Sequence, residues 1–244
     1  MLALRRIIIP YSTLAFPVVI KFSPPKMQAM ATSSDAIELE EEKEGEEEKK
    51  KRNIFVAGST GRTGRRIVEK LLSRGFAVRA GATDLDRAGS SLPQSPDLQL
   101  VRADVTEGAD KLAQAIGGAD AVVCATGFRR SWDLFAPWKV DNLGTVNLVE
   151  ACRKAGAEQY VRKSGINYTI IRPGGLRDEP AAGNIIMEPE DTLYEGSISR
   201  DQVADVAVEA LECPESFYKV VEIVARADTP NRSIKDLFSS IKQK

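Results

Sequence analysis

Seven residues constrain this chain more than any others: Gly58-Ser-Thr-Gly61-Arg-Thr-Gly64, a loop of the form G-x-x-G-x-x-G. The apolar run NIFVAG over residues 53–58 leads into it. A stretch over 62–74 leaves it with Ile67, Val68, Leu71 and Leu72 at three- and four-residue spacing. The first has the length and composition of a buried parallel strand, the second the periodicity of an amphipathic helix. Gly75 stands where such a helix stops. A strand turning sharply into a helix leaves the first N–H groups and the positive dipole end of that helix open to an anion. Gly58 permits the turn, Gly61 lets the backbone approach a pyrophosphate, and Gly64 lets helix and strand pack closely. Thr60, Arg62 and Thr63 lie beside them and would add contacts to phosphate or ribose.

The pattern continues as alternating strand and helix. Further strand candidates are 76–80, 98–102, 121–125, 167–172 and 219–225. A helix is predicted from about 140. Another over 200–211 opens with Ser199 and Gln202 at capping-box spacing, and Ser233 is placed to cap a closing helix to about 242. This order predicts an α/β fold: a three-layer, Rossmann-like, doubly wound parallel sheet in one domain, residues 53–244.

Charge is distributed unevenly ahead of that domain. Residues 1–34 hold Arg5, Arg6, Lys21 and Lys26, scattered hydroxyls and no carboxylate, the composition of an organelle transit peptide. The apolar run over 7–20 is broken by Pro10 and Pro17 and is too short to span a bilayer. A secretory signal and an untargeted extension are the alternatives. Residues 35–52 read as a charged, solvated linker. The whole chain carries a net charge of −1, which argues against a nucleic-acid partner. It has no histidine, so triads and metal sites built on histidine are excluded. Cys124, Cys152 and Cys213 read as free thiols rather than a disulfide framework or zinc site. No metal is expected.

The ordered segments VAGSTGRTGRRIVEKLL, RADVTE, VVCATG, VDNLGTVNLVEACRKAG, YTIIRPGGL and ISRDQVADVAVEAL resemble the atypical short-chain dehydrogenases/reductases. The resemblance is to plant plastid NAD(P)-binding proteins related to the dehydrogenase-like subunit of the inner-envelope translocon, and to NmrA-like and flavin-reductase-like proteins. It implies a plastid location, stromal or membrane-associated, and a dinucleotide cofactor. It also implies that Asp104 and Val105 border the adenine. Ala125, Thr126 and Gly127 would lie along the cofactor, and Pro173 and Gly174 would close over the nicotinamide side. A turn cap is the alternative role for Asp104, and a plain strand terminator that for Pro173. A plastid membrane or protein partner is compatible with the resemblance, but no residue identifies one.

The position after the second strand separates NADP from NAD, because a base there accepts the 2′-phosphate and an acid binds the 2′-hydroxyl. NADP-preferring members of the family read Arg-Asp; this chain reads Thr83-Asp84. Asp84 fits the NAD spacing, yet the same aspartate accompanies the arginine in NADP binders. Arg62, or Arg79 if it faces the site rather than solvent, would supply the positive charge. The reading favours NADP(H), with NAD(H) as the alternative.

One central strand–helix unit of the family pattern is missing. Lys154-Ala155-Gly156 runs directly into 157–160, which resembles the end of a later helix. The family's fifth strand and its Tyr-x-x-x-Lys helix would lie between. Residues 159–161 do not serve as that strand, since Arg162 and Lys163 stand where a central strand must be apolar. Tyr160 and Lys163 are one residue too close for the family pair, and Asn142 suits an N-terminal helix position better than a catalytic one. The expected sheet is third-second-first-fourth-sixth in family order, with open edges at the gap. A merged helix over 140–164 would run about 37 Å, longer than a strand, and should break at Gly156. Three functional readings follow: a plastid dinucleotide-binding protein with little or no turnover, an NADPH-dependent oxidoreductase, or an unstable shortened form.

Overall fold

Five residues, Asn53–Ala57, form the strand (β2) that organises the sheet, and its side chains alternate between two cores. Ile54 and Val56 face one side, and Phe55 and Ala57 the other, as period-two geometry requires. The computed structural model describes residues 18–21, 51–126, 144–154, 167–180 and 182–242. Helix α1 (Arg62–Ser73) follows β2, then β3 (Ala77–Ala82), α2 (Leu85–Ser91), β4 (Leu98–Arg102), α3 (Ala109–Ile116) and β5 (Ala121–Cys124). Strand β2 lies between β3 and β5, β4 lies outside β3, and every one of these pairings is parallel. This half of the sheet is the one the sequence pattern predicts.

The chain continues through α4 (Gly144–Lys154), β6 (Asn167–Pro173), β7 (Gly175–Arg177), β8 (Asn184–Pro189) and β9 (Ser197–Ser199). Helix α5 (Arg200–Glu212), β10 (Lys219–Arg226) and α6 (Ile234–Ser240) complete it. Strand β10 pairs parallel with β6 and antiparallel with β8 and β9, while β7 pairs with β9 at the far edge. The predicted capping box is present, with Ser199 and Gln202 satisfying each other's backbone groups at the start of α5. Ser233 caps α6 as expected, and that helix ends at Ser240.

The sheet departs from the expected order at one place. Residues Val18–Lys21, inside the stretch expected to be leader, form a strand (β1) between β5 and β6, antiparallel to both. The full order is β4-β3-β2-β5-β1-β6-β10-β9-β7. The position of the missing family strand is therefore filled rather than left as two open edges, and the sheet is mixed rather than purely parallel. The expected break of a long helix at Gly156 lies outside the described residues.

Two layers of helix cover the sheet. Ile67, Val68 and Leu71 of α1, Val203, Ala207 and Leu211 of α5, and Phe238 of α6 are buried on one face. Leu112 and Ile116 of α3 and Leu148 and Ala151 of α4 are buried on the other. Helices α1 and α5 pack side by side, and their facing flanks carry opposite charge. Arg66 pairs with Asp201 at 3.2 Å, Lys70 with Asp205 at 2.6 Å and Arg74 with Glu209 at 2.9 Å. The basic residues recur every four positions along α1, so they form one stripe along the contact.

Candidate functional site

The glycine loop sits at the carboxyl edge of β2, where strand and helix meet. Gly58 has φ of +75°, and a Cβ there would stand 2.9 Å from backbone atoms of Ala125 and Thr126. This position therefore requires glycine twice over, for conformation and for close approach. A Cβ on Gly64 would stand 2.2 Å from the Gly58 carbonyl oxygen, so the first turn of α1 rests directly on the loop. Gly61 differs. A Cβ there would meet that same oxygen at 3.2 Å and the Ala125 carbonyl oxygen at 3.9 Å, tight contact but no overlap.

Gly61 is the N-cap of α1 and supplies no side-chain cap, and the first turn holds no acidic residue. Helix α3 likewise starts at an uncapped glycine, Gly108, but carries Asp110 in its first turn. By contrast, α2, α5 and α6 are capped by Asp84, Ser199 and Ser233. The leading N–H groups of α1 thus keep their donors for an outside acceptor, and a diphosphate is the ligand that a Cβ-free cradle admits. Ser59 fixes the loop from below. It is fully buried, and both its N–H and its hydroxyl donate to the Gly81 carbonyl, at 3.2 and 2.9 Å. Sequence reading passed over Ser59, because a small hydroxyl in such a loop gives no signal of which way it points.

Several predicted residues gather around this loop. Ala125 and Thr126 form the turn that Gly58 touches; Ala125 donates its N–H to Ala57, and Thr126 Oγ1 lies 3.1 Å from the Cys124 sulfur. Thr60 and Thr63 are half-buried beside Gly61. Thr83 is exposed at the end of β3. Asp104 follows β4 and folds its Oδ1 onto the N–H and hydroxyl of Thr106, at 2.8 and 2.7 Å, which is a turn-capping role. Val105 is buried beside it, and Asn147 of α4 donates to its carbonyl at 2.9 Å.

Pro173 and Gly174 stand apart from the loop, continuing β6 against β10. Gly174 donates to the Ile223 carbonyl at 2.9 Å, and a Cβ on it would meet the Gly196 carbonyl oxygen at 2.7 Å. Gly127, Asn142, Tyr160, Lys163 and Ser164 lie outside the described residues.

Arginine placement corrects the charge assignment. Arg79 does not face the glycine loop. Its guanidinium donates to the Ala115 carbonyl at the end of α3 and to Gln99 at 2.6 Å. Arg62 reaches away from β3 to Asp178, at 2.5 Å, and Asp178 also faces Arg200 at 3.0 Å and Arg66 at 3.7 Å. Desolvation pushes the Asp178 carboxyl up, but Arg200, Arg62 and Arg66 outweigh it and hold the carboxyl below its ordinary range. Two other arginines flank Thr83. Arg102 donates to the Thr83 carbonyl at 3.5 Å and pairs with Glu107 at 2.9 Å. Arg87 is exposed in the first turn of α2, four residues past Thr83. Sequence reading missed both: Arg102 closes the strand predicted at 98–102 and Arg87 follows Thr83-Asp84, but neither position is the one that the family rule inspects.

Comparisons with known proteins agree with this geometry. The model of an NAD(P)H-binding family matches residues 58–161 and 153–214. The chloroplastic protein At2g34460 of Arabidopsis thaliana is 56% identical over 234 residues, covering 79% of this chain and 84% of the relative. The chloroplastic protein TIC 62 of the same plant is 30% identical over 246 residues, covering 78% of this chain and only 38% of that protein. Among solved structures, the oxidoreductase ylbE from Lactococcus lactis matches with a TM-score of 0.64 at 24% identity, over 77% of this chain and 95% of the other.

Two of these findings bear on the missing unit. The family match breaks into pieces that meet at 153–161, where the sequence pattern loses its strand and helix. In the At2g34460 alignment, 79% of 244 residues is about 193, against 234 aligned positions; about 40 positions therefore face no residue of this chain. That is the length of a strand, a helix and their loops. The chain belongs to the NAD(P)H-binding family, as a plastid protein of the atypical short-chain dehydrogenase/reductase type that binds a nicotinamide dinucleotide.

Proposed function

We propose that this chain is a plastid NADP(H)-binding protein that does not turn over substrate in its present form. The observation that carries the reading is the uncapped front of α1, where Gly61 leaves the loop backbone bare of a side chain. There the N–H groups of the first turn would hold the diphosphate, and the Ala125–Thr126 turn would border the rest of the cofactor. When bound, the nicotinamide would supply hydride chemistry. The residues of this chain would bind and orient it.

The preference for NADP(H) rests on Thr83 and its neighbours. Asp84 spends Oδ1 on the N–H of Arg87 as the cap of α2, at 3.0 Å. It is therefore turned toward its own helix rather than held ready for a ribose hydroxyl. Arg87 is a cation in a helix's first turn, where the dipole disfavours it by about 0.3–1 kcal/mol. A 2′-phosphate beside it would relieve that penalty, with Arg102 as a second donor. The absence of turnover follows from the shortened middle of the chain, where the family's Tyr-x-x-x-Lys helix has no counterpart.

Titration of the full chain with NADPH and NADH, followed by nucleotide fluorescence, tests both parts. Saturable binding is expected, tighter for NADPH. Arg87→Ala should weaken NADPH about tenfold and leave NADH unchanged, since one charge-assisted contact is worth about 1.5 kcal/mol. Gly61→Val should abolish binding of both while the melting curve stays put. Equal affinities that ignore Arg87→Ala would remove the NADP assignment. Binding retained by Gly61→Val would remove the site. Steady oxidation of NADPH with a quinone or aldehyde panel would replace the binding-only reading with a reductase.

A further inference from the structure

The position of β1 carries a consequence independent of the cofactor. Its four residues each pair on both sides: Val18 with Cys124 and Ile170, Val19 with Val123 and Thr169, Ile20 with Val122 and Tyr168, Lys21 with Ala121 and Asn167. Among the described residues, no other strand is contributed from so far away in the chain. Its neighbours β5 and β6 run in the same direction and are buried, with Ala121, Val122, Val123, Tyr168, Thr169 and Ile171 all below a tenth exposed. Taking β1 away would leave the facing backbone groups of two interior strands without partners. A backbone group that stays buried without a partner is strongly destabilising.

The gap has no easy way to close. Joining β5 to β6 would move the two halves of the sheet together by one strand spacing, about 4.8 Å. Helices α1 and α5 already touch across that line, with Arg66, Lys70 and Arg74 on their acidic partners. Packed helix axes stand about 8–10 Å apart, so such a shift would drive α5 into α1. The slot therefore wants a strand, and residues 22–50 link β1 to the rest with ample length. At roughly 3.3 Å per residue they reach about 95 Å.

We infer that Val18–Lys21 is a complementing strand, and that the slot between β5 and β6 is a strand-binding site whose occupant is this chain's own N-terminal segment. The mode is that of β-augmentation, here within one chain: backbone ladders supply the affinity, and the tether supplies the local concentration. It follows that the folded domain must keep its N-terminal region at least from Val18. Removal of residues 1–34 would unmake the centre of the sheet.

Hydrogen exchange read by mass spectrometry on the full chain tests occupancy. A chain beginning at residue 35 tests need. Amides at 18–21 should exchange at least about tenfold more slowly than those of an unstructured chain, as paired interior strands do. The shortened chain should lose its cooperative melt. Both results together support the inference. Fast exchange at 18–21 in a preparation whose β2 and β10 amides are protected would overturn it. So would a shortened chain that melts as the full chain does. Neither readout involves a nucleotide, so failure here is distinct from failure of cofactor binding.

Discussion

The two halves of the sheet are built by different rules. From β4 through β5 every ladder is parallel, each strand feeds a helix, and β2, β3 and β4 lie side by side in chain order, with β5 returning to the other side of β2. From β1 to β7 antiparallel pairs dominate, and the strand that joins the halves comes from the far N-terminus. The first half is specified by local pattern, strand then turn then helix. The second is specified by which edge is free, information that no local window contains. The glycine loop belongs wholly to the first half. The missing family unit belongs to the join, which is why the loop keeps its geometry beside so large a loss.

The sharpest way to break this comparison is to empty one core site on each side. Phe55 and Ile171 are both fully buried, the first in β2 and the second in β6. Phe55→Ala should cost about 3–5 kcal/mol and Ile171→Ala about 2–5 kcal/mol, measured by urea unfolding. If β1 ties the halves into one unit, both variants should unfold in a single transition that moves together in fluorescence and circular dichroism. A split transition in Ile171→Ala alone would show that the second half opens by itself.

A smaller and more local contrast comes from two glycines. Gly64 would place a Cβ 2.2 Å from the Gly58 carbonyl oxygen, inside a loop pinned by Ser59. Gly174 would place one 2.7 Å from the Gly196 carbonyl oxygen, in the looser edge near β9. Both approaches are forbidden to a real Cβ, but the second carbonyl can shift more easily. Gly64→Ala should cost about 2–3 kcal/mol and Gly174→Ala about 1–2 kcal/mol, within the range for overpacking. Only the first should weaken nucleotide binding. Equal costs would mean that the two halves are equally rigid.

What the sequence made legible follows the same division. The strand at 53–57, the helix from Arg62, the stop at Gly75 and the capping box at Ser199 were all readable, because each is decided by residues within a turn or two. The turn at Gly58 and the close packing at Gly64 were readable too, since a Cβ at either would meet backbone at 2.9 Å or less. Three things were not legible. Val18–Lys21 carries a strand-like composition, but nothing local tells a leader from a strand awaiting a distant slot. Asp84 has the spacing of a ribose ligand, though the NADP binders share it; it caps a short helix, α2, that its neighbours barely announce. Arg79 was a candidate cation only if it faced the site, and its guanidinium lies instead on the Ala115 carbonyl of α3. The strands β7, β8 and β9 lack hydrophobic alternation; β8 and β9 are held by β10, and β7 by β9, a long-range cause again.

The smallest expected effect concerns the ionic contact that spans the two halves. Asp178, just past β7, holds Arg62 and Arg66 of α1 and Arg200 of α5. Three guanidiniums share one carboxylate near the front of α1, the helix proposed to receive the diphosphate. Asp178→Asn keeps the shape and removes the charge, so the field at α1 becomes more positive and Arg62 is released. NADPH should then bind a few-fold more tightly, and the gain should fade at high salt, as exposed charges are screened. Stability should move the opposite way. The carboxyl is held below its ordinary range in the folded chain, so its contribution is present above the usual aspartate pKa of about 3.9 and is lost as pH falls below that. The variant should therefore melt slightly below the parent at neutral pH, and the two curves should converge in acid. Unchanged affinity in Asp178→Asn would mean that Arg62 serves only to latch the second half onto the first, and that the backbone of the glycine loop binds the diphosphate without it.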